Sequence, residues 1–255
     1  MLIDIAVAVI KNHDVRDASI GGHTVAVTGA GKERRRIIRR QIIGRELPFI
    51  RNAIEVMRQI TRAFIQRDAD EIYAVAILLF HPMEGFDLLF EILPHLSQIP
   101  MQLVVVGSGN EDIMKKMLTW SGKCKNIHYF DTFDVKLASQ IYAASDIFLM
   151  PSKFEPCGLG QLIAMRYGTI PVVRSVGGLK DTVLDYEVET KSGTGFVFKN
   201  YDAIEFLVAM VRAFEHYKHK KSWDALVLRA MAVDHSWEQS VKKYEKEFYS
   251  LLQSK

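Results

Sequence analysis

The sequence predicts an α/β fold: a Rossmann-like, doubly wound parallel sheet with an α-rich N-terminal extension. From about residue 71 to residue 255, apolar runs typical of buried strands alternate with amphipathic helices. Such alternation indicates βαβ units arranged around a parallel sheet. Residues 1–70 lack it, and apolar residues recur there at helical spacing from Ile37 to Ile65. We therefore expect an extension over residues 1–70, whose function the sequence does not specify, and a domain over residues 71–255.

The composition of the chain is that of an ordinary globular protein. Of its 255 residues, 49% are apolar and 25% are charged, which excludes a disordered chain. A net charge of +3 favours neither nucleic acid nor a membrane as a partner of the whole chain. Cys124 and Cys157 are too few for a disulfide framework and lack metal-ligand spacing, so we expect a reducing compartment. The apolar run Leu2–Ile10 is too short for a membrane span, and we interpret it as a buried strand.

The order of elements follows from the apolar runs and from helical periodicity. Runs of strand-forming residues predict strands at 72–80, 102–106, 127–130, 147–150, 170–173 and 195–197. Amphipathic segments between and after them predict helices at 86–96, 111–121, 135–144, 159–167, 179–185, 203–219, 223–232 and 237–252.

One strand-to-helix turn has the character of a phosphate-binding loop. The apolar strand Ile147–Met150 runs into a loop that contains Glu155 and Gly158, and a helix then begins. Backbone N–H groups at a helix start, together with the helix dipole, attract anions. We expect the N–H groups of Cys157, Gly158 and Leu159 to face a phosphate, with Glu155 within reach of a hydroxylated group attached to it. From spacing alone, an ordinary turn with a solvated glutamate is the alternative.

Two further glycine turns follow apolar strands and are weaker candidates. Gly107, Ser108 and Gly109 follow the second predicted strand, and Gly177 and Gly178 follow the fifth. A glycine turn at the carboxyl end of a parallel strand can approach a nucleotide closely. It can also serve only to reverse the chain tightly, so both interpretations stay open for these turns.

Three linked segments resemble the signature of bacterial and plastid glycogen and starch synthases. They are Ser145–Leu159, Ala164–Pro171 and Gly177–Val183, in this order. The resemblance extends more weakly from Ala74 to Trp237. It implies the C-terminal, donor-binding domain of a retaining glucosyltransferase with the two-domain GT-B architecture. Members of this family transfer glucose from ADP-glucose, or from UDP-glucose, to the 4-hydroxyl at the end of an α-1,4-glucan.

The resemblance also implies roles for individual residues. Glu155 would be the catalytic residue, holding the hydroxyls of the donor sugar and supporting the transition state. The N–H groups of Cys157, Gly158 and Leu159 would bind the distal phosphate. Stabilising the departing diphosphate is then the main catalytic task, which the family performs without an obligatory metal or another cofactor. Phe133 matches the position of an aromatic residue near the adenine, and a place in the core is the alternative.

The chain departs from the family pattern at the donor diphosphate. The family places an arginine and a lysine in the loop after the first strand of this domain, and both clamp the diphosphate. Here Leu79 stands near the arginine position, and Glu84 stands at the lysine position. The loss of both cations favours weaker donor binding and slower departure of the diphosphate.

The glucan-binding side of the family also lacks a counterpart in this sequence. A complete synthase has a large N-terminal domain that binds the glucan, whereas residues 1–70 offer no match to its acceptor-side residues. We therefore expect a glucosyltransferase domain that engages an α-1,4-glucan only if an acceptor domain is supplied elsewhere. The alternative is a non-catalytic or regulatory sugar-nucleotide-binding module of glucan metabolism. We expect a cytoplasmic location, or a plastid in a plant or alga.

Two features of the N-terminal part point to other functions. Residues 28–33 resemble the end of a P-loop, but the first glycine of that pattern and the Ser/Thr after Lys32 are missing. The basic run from Lys32 to Arg40 could attract nucleic acid or an acidic partner, but a solvated helix face is the more common interpretation. Nucleic acid and membranes are therefore not among the expected partners.

Overall fold

The computed structural model describes residues 73–78, 84–132 and 134–253 of the chain. Within these ranges the strands are β1 (Tyr73–Leu78), β2 (Met101–Val106), β3 (Ile127–Phe130), β4 (Ile147–Met150), β5 (Ile170–Arg174) and β6 (Phe196–Phe198). The helices are α1 (Phe86–Leu96), α2 (Glu111–Lys123), α3 (Val135–Ala144), α4 (Gly160–Tyr167), α5 (Gly177–Thr182), α6 (Ala203–Lys218), α7 (Lys220–Ala232) and α8 (Trp237–Gln253). The expected N-terminal extension, the P-loop-like segment and the basic run lie outside the described residues.

The described strands form one parallel sheet in the order β3-β2-β1-β4-β5-β6. The chain builds outward from β1 through β2 to β3, and it then returns to place β4 on the other side of β1. Because βαβ crossovers are right-handed, the crossover helices α3 and α4 lie on the opposite face of the sheet from α1 and α2. The doubly wound α/β fold predicted from the sequence is confirmed.

The central strands are buried on both faces, which explains their continuous apolar runs. All residues of β2 and of β4 are buried. A strand covered by helices on both faces has no solvent-facing positions, so its sequence does not alternate. The helices that cover the sheet also pack on one another, α1 on α6 and α3 on α4.

The helix starts differ in how their free N–H groups are satisfied. Asn110 caps α2 through its Oδ1 atom, which accepts hydrogen bonds from the N–H groups of Asp112 and Ile113 at 3.1 Å. Asp202 caps α6 in the same way, at 2.9 Å from two successive N–H groups. Such caps satisfy donors that a helix cannot satisfy by itself. By contrast, α4 begins after Leu159 and has no side-chain cap.

Two helices begin earlier than the sequence predicts. The short helix predicted from residue 179 begins at Gly177, because the glycine pair itself forms the first turn after the extended residue Val176. The helix predicted from Trp223 begins at Lys220, and the N–H of Trp223 donates to the carbonyl of His219 at 2.9 Å. Apolar periodicity does not mark a polar first turn, so helix boundaries of this kind are missed.

An aromatic cluster fills the core beside β6. The ring centres of Tyr186 and His216 lie 4.1 Å apart, and His216 lies 6.1 Å from Trp223. Burial lowers the pKa of His216. This histidine therefore packs as a neutral ring at neutral pH.

The strand β6 lies at one end of the described sheet, and side-chain carboxylates accept hydrogen bonds from an N–H group within it and from one just after it. The N–H of Val197 donates to Oδ1 of Asp185 at 2.8 Å, and the N–H of Lys199 donates to Oε2 of Glu205 at 3.1 Å. Arg212 pairs with the other oxygen of Asp185 at 3.1 Å. The carboxylates thus occupy the hydrogen-bonding positions that a further strand would take.

The described residues fall into two compact units, one ending at Met231 and the other beginning at Ala232. In the second unit, α8 carries large exposed apolar side chains at helical spacing: Trp237, Val241, Tyr244 and Phe248.

No helix within the described ranges is long and apolar enough to cross a membrane. The domain boundary near residue 70 stays a prediction, because the chain is not described there.

Candidate functional site

The site lies where the sheet reverses its direction of winding, between β1 and β4. These strands are adjacent, with Val75 opposite Ile147. In open parallel sheets, ligands bind in the crevice outside the carboxyl ends of the strands at such a reversal. A Cβ atom on Gly85, which follows β1, would lie 2.0 Å from the carbonyl oxygen of Pro151, which follows β4. Gly85 also has a φ of 78°, so only glycine allows this approach of the two loops.

The loop Pro151–Leu159, hereafter the 151–159 loop, leads from β4 into the uncapped start of α4. Glu155 is half-buried in it, and Gly158 turns the chain into the helix with a φ of 70°. Among the described residues, none accepts a hydrogen bond from the backbone N–H of Cys157, Gly158 or Leu159. Unsatisfied donors at the positive end of a helix dipole form a site for an anion.

The buried side chain of Gln161 fixes the direction in which these donors point. Its Nε2 atom donates to the carbonyl of Gly158 at 3.0 Å and more weakly to that of Cys157 at 3.4 Å. It also donates to Oγ1 of Thr182 at 3.0 Å. In a trans peptide the C=O and the following N–H point in opposite directions. The N–H groups of Gly158 and Leu159 therefore point away from Gln161.

The glycine pair that begins α5 lies directly against the 151–159 loop. A Cβ atom on Gly177 would lie 1.8 Å from the carbonyl oxygen of Glu155, and one on Gly178 would lie 1.8 Å from that of Cys157. The N–H of Gly178 donates to the carbonyl of Glu155 at 3.1 Å. Any larger residue would displace the loop, so these glycines support its conformation. Direct contact between them and a ligand stays a prediction.

Glu84 lies beside the same loop. Its Oε2 atom is 3.4 Å from the hydroxyl oxygen of Ser152, which is fully buried. Burial and, second, the charge of Glu155 raise the pKa of Glu84 to about 7, against the lowering effect of the Ser152 hydrogen bond. Burial and then the charge of Glu84 raise the pKa of Tyr142 as well. Glu84 therefore titrates closer to neutral pH than an ordinary glutamate does. Leu79, the other departure from the family pattern, lies outside the described residues.

Arg174, the last residue of β5, binds the first part of the loop. Its Nε atom donates to the carbonyl of Ser152 at 2.8 Å, and Nη2 donates to the carbonyl of Lys153 at 2.6 Å. The guanidinium carbon lies 5.4 Å from the ring centre of Tyr201, whose hydroxyl donates to Asp87 in the first turn of α1. One hydrogen-bonded and stacked group thus joins the last residue of β5 to segments that follow β1, β4 and β6.

The remaining predicted residues lie further away or are not described. The turn of Gly107, Ser108 and Gly109 follows β2, one strand beyond β1, so it flanks the crevice. The carbonyl of Gly107 accepts a hydrogen bond from the Tyr129 hydroxyl at 3.1 Å, while Ser108 and Gly109 are exposed. Phe133 lies outside the described residues. The roles of all these residues in binding stay predictions.

The geometry suits a hydroxylated group joined to a phosphate. Free N–H donors can hold an anion, and the carboxylate of Glu155 precedes them by two residues and can accept hydrogen bonds from hydroxyls. Within the described ranges, no group of three or more His, Cys, Asp or Glu side chains is arranged to hold a metal ion.

Comparison with known proteins decides the family. Residues 57–225 match the family model described as glycosyl transferases group 1. The chain belongs to this family. This group 1 glycosyltransferase is similar to bacterial glycogen synthases: it is 46% identical to that of Thermosipho melanesiensis over 176 residues, 68% of this chain and 36% of that protein. It is 44% identical to that of Clostridium novyi over 191 residues, 73% of this chain and 39% of that protein. The glycosyltransferase thus matches well under half the length of these relatives.

Solved structures give the same assignment. The catalytic domain of starch synthase IV from Arabidopsis thaliana, bound to ADP and acarbose, is similar with a TM-score of 0.70 and 31% identity. The match covers 82% of this glycosyltransferase chain and 46% of that one. HepE from Anabaena in complex with UDP and glucose has a TM-score of 0.58 at 18% identity, covering 82% of this chain and 53% of that one, and this likeness shows the fold alone. The resemblance to glycogen and starch synthases that the three sequence segments indicate is confirmed.

The sequence did not identify the residues that hold the 151–159 loop. Arg174 and Gln161 lie 21 or 22 residues from some of their partners along the chain, so no local pattern joins them. One signal was available for Arg174, since it is a charged residue that ends an apolar strand at the functional end of the sheet. For Gln161 the signal was a polar residue at a buried position of a helix.

Proposed function

We propose that this domain binds ADP-glucose, or UDP-glucose, and supplies the donor half of a glucosyltransferase that elongates an α-1,4-glucan. The observation that carries the proposal is the set of free N–H donors at Cys157, Gly158 and Leu159, two residues beyond Glu155. The similarity to glycogen synthases and to an ADP-bound starch synthase supports it. We infer that a separate acceptor domain holds the glucan, because the family resemblance implies one and the match covers well under half of those glycogen synthases.

The orientation of the donor follows from the two kinds of group in the loop. The distal phosphate lies against the N–H groups at the start of α4, which point away from Gln161. The sugar attached to this phosphate then extends toward Glu155, whose carboxylate accepts hydrogen bonds from its hydroxyls. The nucleoside extends the other way, toward the turn of Gly107, Ser108 and Gly109 at the end of β2.

In the reaction, the bond between the anomeric carbon and the diphosphate oxygen breaks, and its electron pair leaves with the diphosphate. The acceptor 4-hydroxyl oxygen bonds to the anomeric carbon, and the hydroxyl proton passes to the departing diphosphate. Negative charge therefore develops on the phosphate that faces Cys157, Gly158 and Leu159. Fixed N–H donors stabilise such charge without having to reorient during the reaction. Glu155 stabilises the positive charge that develops on the sugar ring.

A second candidate function is a module that binds the sugar nucleotide without catalysis. Glu84 favours it, because a partly ionised carboxyl group stands at the position where the family resemblance implies a cation. A carboxylate there opposes the build-up of charge on the leaving group. The two candidates share the binding site and differ in whether the glucose–phosphate bond breaks.

Calorimetric titration with ADP, ADP-glucose and UDP-glucose tests binding. A chain that binds none of these ligands rules out both candidates. Slow hydrolysis of the bound sugar nucleotide to glucose and the nucleoside diphosphate tests catalysis, because water can act as acceptor without a glucan-binding domain. We expect hydrolysis by the parent and its loss in Glu155→Gln. Tight binding with no hydrolysis above the uncatalysed rate favours the non-catalytic module.

A further inference from the structure

Arg174 makes contacts that set it apart from an ordinary surface arginine. Its two donors bind the successive carbonyls of Ser152 and Lys153, at 2.8 and 2.6 Å. Among the described residues, no carboxylate lies within ion-pair distance of it. The guanidinium group therefore acts on the backbone of the 151–159 loop, two and three residues before Glu155.

The planar guanidinium group constrains this backbone more than a lysine could. Its N–H donors are fixed in one plane. Because the two carbonyl oxygens accept from Nε and Nη2 of the same plane, the relative direction of the two carbonyls is fixed. Downstream, the carbonyl of Glu155 accepts a hydrogen bond from the N–H of Gly178 at 3.1 Å. Glu155 thus lies in a segment whose peptide planes are held on both sides.

The position of Arg174 is itself fixed by two residues of other elements. Its guanidinium group lies over the ring of Tyr201, and the hydroxyl of Tyr201 donates to Asp87. Asp87 belongs to the first turn of α1, which begins directly after Gly85 in the crevice. The arrangement connects the first part of the 151–159 loop to the end of β5 and to the segment that follows β1.

Different residues hold the two ends of the 151–159 loop. Arg174 binds the Ser152–Lys153 end, which precedes Glu155. Gln161 binds the Cys157–Gly158 end, which carries the donors for phosphate. We propose that Arg174 is a positioning residue that orients Glu155 toward the donor sugar, whereas Gln161 orients the N–H groups toward the phosphate. This inference rests on the proposed function of the site.

The test compares ligands with and without the sugar. In Arg174→Lys we expect ADP-glucose to bind about tenfold more weakly, because hydrogen bonds to the Glu155 carboxylate are lost or lengthened. The affinity for ADP should change by less than about twofold, since the phosphate donors are held by Gln161. Gln161→Leu should weaken the binding of ADP and the binding of ADP-glucose by the same factor. A purely structural role of Arg174 would lower the affinity for both ligands equally.

Arg212→Lys is the matched control. Arg212 also donates to a backbone carbonyl, that of Tyr186, at 3.0 Å, and its guanidinium carbon lies 5.5 Å from the ring centre of Phe196. Its partners Asp185, Tyr186 and Phe196 lie outside the 151–159 loop. We expect a loss of thermal stability in both arginine variants, but a changed ratio of the two affinities only in Arg174→Lys.

A double-mutant cycle tests whether Arg174 acts through Glu155. In Glu155→Gln the sugar contact is already weakened, so adding Arg174→Lys should reduce ADP-glucose affinity by less than about twofold more. Additive losses in the two variants overturn the inference. Hydrogen exchange of the ligand-free proteins gives an independent readout: the amides of residues 153–155 should exchange faster in Arg174→Lys than in the parent and in Arg212→Lys. Unchanged exchange there also overturns it.

Two further outcomes separate this inference from the proposed function. A parent chain that binds neither ADP nor ADP-glucose overturns the proposed function and this inference with it. A parent that binds both, with an unchanged affinity ratio in Arg174→Lys, overturns the inference alone. If Arg174→Lys does not fold, Tyr201→Phe replaces it, because it keeps the ring but removes the bond to Asp87. In Tyr201→Phe we expect a smaller loss of ADP-glucose affinity than the loss of about tenfold expected in Arg174→Lys. An unchanged ratio of the ADP-glucose and ADP affinities in Tyr201→Phe would overturn the inference.

Discussion

The Oε2 atom of Glu84 lies 3.4 Å from the hydroxyl oxygen of Ser152, where the loop after β1 meets the loop after β4. The carboxyl group is near that of Glu155, and its pKa is raised to about 7 by burial and then by the charge of Glu155. A donor diphosphate bound in this crevice would therefore meet a group that changes its charge near neutral pH.

Replacing Glu84 should strengthen ADP binding. Unit charges about 4 Å apart interact by about 1 kcal/mol in water and about 4 kcal/mol near a protein surface, and salt and side-chain mobility reduce this. We expect Glu84→Lys to tighten ADP binding about tenfold, or about 1.4 kcal/mol, at low salt and above the pKa of Glu84. Glu84→Gln should give a smaller gain, because it removes the repulsion without adding a cation.

Calorimetric titration at low and high salt measures both effects, which should shrink as salt is added. Glu187→Lys makes the same charge change in an exposed segment before β6 and serves as the control. Parent-like affinity in both Glu84 variants would mean that Glu84 does not face the diphosphate.

The affinity of the parent for ADP should fall as pH rises through about 7, the pKa of Glu84. The protonated carboxyl group does not repel the diphosphate, so binding favours this form and is coupled to proton uptake. The phosphate itself titrates near pH 6, so the comparison is between the parent and Glu84→Gln rather than between two pH values alone. Calorimetric titrations in buffers of different ionisation enthalpy should show that the parent takes up more protons on ADP binding than Glu84→Gln does. Equal uptake in the two proteins contradicts the prediction.

The same carboxyl group should make folding stability depend on pH. Its pKa in the folded chain, about 7, lies above the ordinary value of 4.5. The folded state therefore binds the proton more tightly, and the stability that this contributes is present below pH 4.5 and is lost as pH rises through about 7. Denaturant unfolding at several pH values measures this effect. The free energy of unfolding should decline less steeply with rising pH in Glu84→Gln than in the parent. An identical pH profile for the two proteins argues against a raised pKa.

Substituting Gly158 with a larger residue should weaken phosphate binding. Gly158 has a φ of 70°, and a Cβ atom there would lie 2.5 Å from Oε1 of Gln161. Gly158→Val should therefore displace both the loop and the side chain that orients its N–H groups, and ADP affinity should fall by more than about tenfold. Gly122→Ala is the control, because a Cβ atom on that glycine meets nothing within 4 Å. If Gly158→Val binds ADP as well as the parent does, the phosphate site is elsewhere.

The purified chain should transfer little or no glucose from ADP-glucose to glycogen. Transfer requires donor and acceptor to be held in one geometry, which can account for several orders of magnitude in rate. The chain matches only 36% of the glycogen synthase of Thermosipho melanesiensis, so most of that relative lies outside the match. Incorporation of labelled glucose into glycogen measures transfer, and donor hydrolysis in the same samples shows whether the site is occupied. Rapid incorporation would show that the chain holds the acceptor by itself.

The parts of the fold that depend on neighbouring residues could be predicted, and the parts that depend on distant contacts could not. The strand at Ile147–Met150 and the loop after it were predictable because one continuous segment carries both the apolar run and the glycine turn. The supporting role of Gly177 and Gly178 was not, because it depends on carbonyl groups of Glu155 and Cys157 that approach them only in the folded chain. The sequence shows a glutamate at position 84, but the raised pKa of Glu84 depends on its burial in the folded chain.

The carboxylates that meet the N–H groups of Val197 and Lys199 have a consequence for assembly. An unprotected outer strand can accept a strand from another molecule, which leads to strand exchange or to aggregation. Here the acceptor of Val197 is Asp185, held in place by Arg212, so an incoming backbone would have to displace a hydrogen-bonded ion pair. This end of the described sheet therefore resists growth by strand addition, and we expect loss of the Asp185 carboxylate to favour self-association through β6.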